Sequence, residues 1–154
     1  MRNKTMTKHL LFGILLSLVI PFVNSAEGLL TESSNYSVSE TVDRLEALLK
    51  AKGFRIFARV DHGAGAQSVD LELLPTELLI FGKPQGGTLL MQARRTVGID
   101  LPLKFLVWED DKGEVRIGWN DTAWMAERHD IDEGVPVLKN VAKALENFAR
   151  QAGH

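Results

Sequence analysis

The residue most able to do chemistry in this chain is His62, which follows a strand-like run, adjoins Asp61 and precedes Gly63-Ala64-Gly65. A histidine at a strand end, flanked by glycines that let another group approach, acts as a base or a ligand, or simply fixes the turn by hydrogen bonding. The second candidate is Lys83, set in Gly82-Lys83-Pro84-Gln85-Gly86-Gly87-Thr88. Glycines beside a lysine suggest an anion cradle, but a P-loop places its lysine after the last glycine, and Pro84 removes one N–H. The segment therefore reads as a strand-ending turn that can rim a pocket. An enzyme built from these parts would use His62 as general base and Lys83 to stabilise an anion.

Other constellations are weaker. His129, Asp130 and Asp132 are metal-ligand types, yet no HExxH or comparable spacing joins them, so a solvated loop between helices explains them. Glu109-Asp110-Asp111 lacks calcium-loop spacing and is accounted for by a hairpin turn ending in Gly113. There is no cysteine and no Gly-x-Ser-x-Gly, and Ser68 has no base at an interpretable spacing. Neither a metal nor a cofactor is expected. Trp108, Trp119 and Trp124 either line an apolar pocket between sheet and helix or belong to the core.

The elements that must position these residues follow from periodicity. An edge strand is expected within Glu27 to Asn35. Ser37 and Glu40 have capping-box spacing ahead of a helix over 38–52, in which Val42, Leu45, Leu48 and Leu49 repeat at helical intervals and Gly53 supplies the C-terminal cap. Phe54 to Val60 alternate as a strand, with Phe54, Ile56, Ala58 and Val60 on one face and Arg55, Phe57 and Arg59 on the other, the latter the surface best suited to meet a second subunit. Asp61 can cap a short, glycine-weakened helix over Ala64 to Asp70. Leu78-Leu79-Ile80-Phe81 is an apolar strand whose two faces both need cover, Gln85-Gly86-Gly87 is loop, and Leu89 to Val97 a short helix. Leu103, Phe105 and Val107 alternate, as do Val115, Ile117 and Trp119, about Asp110-Asp111-Lys112-Gly113, which predicts a β-hairpin. Asp121 caps a brief helix, and Gly134 and Pro136 introduce a final one carrying Leu138, Val141, Leu145 and Phe148. Helices interspersed among antiparallel strands predict an α+β fold of two layers.

The N-terminus gives an address. Arg2, Lys4 and Lys8 precede the apolar run Leu10 to Val23, and Asn24-Ser25-Ala26 offers cleavage after Ser25 or Ala26. At 14 residues, with Gly13 and Pro21 inside it, the run is short of the roughly 20 needed to span a bilayer, so a cleavable signal peptide over 1–26 is expected, with no stable membrane anchor afterwards. That leaves one domain over 27–154, periplasmic or secreted, with 15 basic residues against 20 acidic ones and a formal charge of −5. An acidic surface argues against nucleic acid as a partner.

Lys52-Gly53-Phe54, Asp61-His62, Pro75-Thr76-Glu77-Leu78-Leu79-Ile80-Phe81-Gly82-Lys83-Pro84, Leu90-Met91, Leu101-Pro102-Leu103-Lys104 and Val107-Trp108-Glu109-Asp110 together resemble the family of domains of unknown function numbered 302 (DUF302), over roughly Tyr36 to Gln151. The resemblance implies a small α+β fold of the TATA-binding-protein-like class in single copy, a tendency to homodimerise, and no established activity. Members usually carry asparagine where this chain has Lys83, and commonly proline where it has Thr122. The expected function is thus a non-enzymatic, homodimeric module that binds a small molecule or a partner near His62, Gly82 and Lys83, with Trp108 and Trp119 as further binding candidates. The alternative is the periplasmic enzyme using His62 and Lys83.

Overall fold

The computed structural model describes residues 26–132 and 134–154, so the expected signal peptide lies almost wholly outside the described residues. The elements are β1 (Leu29–Ser34), α1 (Val38–Ala51), β2 (Arg55–Asp61), α2 (His62–Gln67), β3 (Thr76–Gly82), α3 (Pro84–Ala93), a 3-10 turn (Arg95–Ile99), β4 (Leu103–Glu109), β5 (Val115–Asn120), α4 (Thr122–Arg128) and α5 (Pro136–Gly153). The strands form one antiparallel sheet in the order β1-β5-β4-β3-β2. The fold is α+β, a five-stranded antiparallel sheet packed against helices.

Strand alternation turns one side chain in two toward the helices. Leu79 and Phe81 of β3, Phe105 and Val107 of β4, and Ile117 and Trp119 of β5 are buried beneath Val42, Leu45 and Leu49 of α1 and Leu145 and Phe148 of α5. Each such side chain fully removed from water contributes about 1.5–3 kcal/mol. Helix α1 starts where Ser37 Oγ accepts the Glu40 N–H at 3.3 Å and ends at Lys52, with Gly53 in the left-handed region at φ +72°. The hairpin closes as expected: Gly113 has φ +76°, and Asp110 accepts the N–H groups of Lys112 and Glu114 at 3.0 Å each. Those N–H groups, that of Glu114 foremost, hold the Asp110 carboxyl below its ordinary range.

Three expectations are corrected. The β2 alternation does not run unbroken, because a bulge between Ile56 and Ala58 shifts the register. Ile56 pairs with Phe81 on the helix side, Arg59 with Leu79 on the same side, while Ala58 and Val60 face the other way beside Ile80 and Leu78. Second, β3 is not covered on both faces: Glu77, Leu79 and Phe81 are buried, but Leu78 and Ile80 are only partly so. Third, Gln85-Gly86-Gly87 is not loop but the first turn of α3. Pro84 at the helix's first position presets φ and lacks an N–H that would have been orphaned there anyway, which outweighs the poor propensity of two glycines.

Candidate functional site

An apolar cleft of about 420 Å³ opens where β3 runs into α3. Phe54 and Phe57 form one wall, Leu90 and Met91 of α3 another, and Leu101, Pro102 and Leu103 the floor, with Val141 of α5 behind. Its size falls in the range of roughly 300–1,000 Å³ typical of small-molecule pockets. Each wall follows from local sequence. Phe54 is placed by the α1 terminus, where its N–H bonds the Leu49 carbonyl at 2.9 Å. Phe57 sits at the bulge and lays its ring against Gly82, where a Cβ would lie 3.4 Å from Cε2. The Leu101–Pro102 peptide is cis, and Lys104 Nζ donates to the carbonyls of Asp100 at 3.0 Å and Pro102 at 2.8 Å, fastening the floor. Burial lowers the Lys104 ammonium pKa below that of an ordinary lysine, opposed in part by Asp100.

Lys83 is the charged side chain of this cleft. It precedes the first helical residue of α3, and its Nζ lies 4.6 Å from the centroid of the Phe54 ring, close to Gly53. Among the described residues, no carboxylate comes within ion-pair distance of it. Gly86 and Gly87 line the same rim, and neither backbone is crowded: added Cβ atoms would meet Val137 at 3.9 Å and Leu101 at 3.7 Å.

The structure brings Gly82 and Lys83 into one cleft and leaves His62, Trp108 and Trp119 out of it. His62 opens α2 and is exposed, its neighbour Asp61 accepting the Ala64 N–H at 2.8 Å. Asp61 pairs with Glu77 at the start of β3 whereas Arg55 pairs with Gly82 at its end, so His62 and Lys83 flank opposite ends of a seven-residue strand, roughly 20 Å apart at 3.4 Å per residue. The proposed base and anion stabiliser therefore do not meet. Trp119 is buried in the main core against Phe105. Trp108 lies over Gly118 on the sheet face opposite the helices, the ring 2.8 Å from where a Cβ would sit.

His129 turns away from Asp130 and Asp132. Its ring is buried, with Nε2 2.5 Å from Asp100 Oδ2 and Nδ1 3.0 Å from Thr96 Oγ1, while Arg128 donates to Asp100 Oδ1 at 3.0 Å. This cluster ties α4 to the turn that supports the cleft floor. Among the described residues, no three His, Asp or Glu side chains converge as a metal site. Sequence reasoning missed Phe54, Phe57 and Pro102 as cleft residues; their signal, aromatics at a bulge and at a helix exit, becomes legible only once β2 and β3 are in register.

The described helices include none long and apolar enough to cross a membrane. Curated relatives named "Fluoride-specific ion channel FluC 1", from Brucella suis biovar 1, and "Fluoride-specific ion channel FluC 2", from Brucella melitensis biotype 1, are each 54% identical over 104 residues. Those residues are 68% of this chain but only 41% and 38% of the relatives, so the match spans about two fifths of their length. The crystal structure of an uncharacterized conserved DUF302 protein from Bacillus stearothermophilus superposes with a TM-score of 0.73 at 22% identity, covering 82% of this chain and 99% of that one. The DUF302 family profile, "Domain of unknown function DUF302", matches residues 30–151, and the chain belongs to that family.

Proposed function

We propose that this chain is a binding module that takes a small apolar ligand in the cleft between β3, α3 and the 101–103 floor. The observation that carries this is a ligand-sized cavity walled by aromatic and aliphatic side chains that the main core leaves unfilled. An open cleft of ligand size with apolar walls and a polar group at its rim has the character of small-molecule sites. The Brucella relatives hold a matching segment within longer chains, which suits a binding unit attached to other functions. The exported setting is part of the proposal and rests on residues 1–26.

Titration with the neutral fluorescent probe N-phenyl-1-naphthylamine tests it. The native protein is expected to give saturable enhancement, and Gly87→Phe, whose ring enters the cleft from the α3 side beside Leu101, to abolish it. Absence of saturable binding, or binding unchanged by Gly87→Phe, overturns the reading.

A second reading, docking of a second copy of the chain, is favoured by Val69, Leu71, Leu73 and Leu74, which are 45–65% exposed between α2 and β3. β2 is also an edge strand, with no strand neighbour on its outer side among the described residues. Sedimentation of the native protein and of Leu71→Asp/Leu73→Asp distinguishes the cases. A dimer dissociated by the double variant supports self-association, and a monomer throughout the micromolar range overturns it.

A further inference from the structure

We propose that the ligand is an amphipathic monoanion, an apolar body bearing one carboxylate, whose head group sits on Lys83; the inference rests on the cleft being a binding site. The walls accept an apolar body and offer no acceptor-rich surface for a sugar or a polar head. One cation interrupts them. Exposed cations such as Lys52, Arg55 and Arg95 are left to solvent, but the other part-buried cations of the described residues each have an acceptor: Arg116 contacts Asp110 and Glu114, and Arg44 and Lys104 donate to backbone carbonyls. Lys83 instead is half-buried on an aromatic face with its ammonium unmatched. The Phe54 ring gives the ammonium a cation–π contact but no hydrogen-bond acceptor. A carboxylate at the mouth of the cleft completes the pair.

The backbone adds to the same field. Lys83 is the residue before a ten-residue helix, and the N–H groups of the first turn, at Gln85 and Gly86, point out of the helix without an intrahelical partner. Gly86 lines the cleft, so a bound carboxylate meets donors from both the ammonium and the helix end. The charge count sets the valence. One lysine and no arginine line the cleft, which matches a monoanion and leaves the second charge of a phosphate monoester without a counter-ion.

Isothermal titration of the native protein with decanoate, 1-decanol and decyltrimethylammonium tests the assignment. Decanoate is expected to bind about tenfold more tightly than decanol, the factor appropriate to a hydrogen bond between charged groups, and the cation most weakly. Octanoate to dodecanoate should gain about threefold to fourfold in affinity per methylene until the cleft is full. Lys83→Met is expected to abolish the preference for decanoate over decanol, both measured on the same variant, and Lys83→Arg to retain it. Equal affinity of decanoate and decanol for the native protein, or a preference that survives Lys83→Met, overturns the charge assignment and leaves the cleft standing. If neither alkyl ligand nor the neutral probe binds, the cleft reading falls and the assignment with it.

Discussion

The two ends of β3 handle charge in opposite ways. At its start, Glu77 is buried at 7% exposure and meets Arg59 Nε at 2.5 Å, and the same guanidinium reaches Asp43 and the hydroxyl of Ser39. The Glu77 bond chiefly, with Asp43, raises the Arg59 pKa further above its ordinary value. At the far end Lys83 lies on Phe54 with no carboxylate among the described residues within ion-pair distance, beside an apolar cleft. A saturated charge belongs to the architecture. A part-buried charge with no acceptor among the described residues, next to apolar space, is the feature to which the proposal assigns recognition.

The largest expected effect tests that distinction. Arg59→Met leaves the Glu77 carboxylate buried without its counter-ion, and breaking a buried pair, discounted because Arg59 is partly exposed, costs about 2–4 kcal/mol in urea unfolding. Replacing both partners, as in Arg59→Met/Glu77→Leu, should recover most of the loss, because the desolvation penalty goes with the pair. Lys83→Met should change stability by less than about 0.5 kcal/mol. Comparable losses at both ends would erase the contrast.

Gly86 gives the next effect and sharpens the far end. In α3 its added Cβ would make only ordinary contact with Val137, so Gly86→Ala should stabilise the protein by about 0.5–1 kcal/mol through reduced backbone freedom in the unfolded chain. A gain in thermal stability together with weaker decanoate binding would show that the glycine serves the cleft mouth at the expense of the helix. A loss of stability would mean that an added methyl disturbs the first turn of α3, and the helix-end contribution to the site would have to be abandoned.

How much of this was legible in the sequence depends on whether local or cross-strand facts decide. The hairpin at Asp110 to Gly113, the Ser37 cap and the Gly53 terminus were readable because each rests on a few neighbouring residues whose backbone needs are distinctive. The direction of Arg59 was not, because one extra residue at the Ile56/Ala58 bulge reverses the face of everything after it, and nothing in Phe54 to Val60 announces a bulge. The same applies to the site. Gly82 and Lys83 stood out by type, but their partners Phe54, Phe57, Leu101 and Pro102 come from two other segments and converge only through β2–β3–β4 pairing. His62 drew attention for its chemistry and is carried to the wrong end of the strand by the antiparallel turn.

The smallest effect concerns how firmly the cleft floor is held. Lys104 donates to the carbonyls of Asp100 and Pro102, and its pKa is lowered in the folded protein by burial. The unfolded chain therefore binds a proton more readily than the folded one between the lowered value and the ordinary 10.5, and stability contributed by this residue rises with pH across that window. Below the window the desolvation cost is present in full. Lys104→Met removes the slope, so the stability difference between native protein and variant should shift in favour of the native protein as pH is raised from neutrality toward the ordinary lysine value, measured by urea unfolding at each pH. Because the same ammonium pins the floor, the variant should also bind N-phenyl-1-naphthylamine more weakly, by a factor of about two to five, as preorganisation is lost. If binding is unchanged while the pH slope disappears, Lys104 is a satisfied, structural cation like Arg59, and the recognition proposed for the far end of β3 then rests on Lys83 alone.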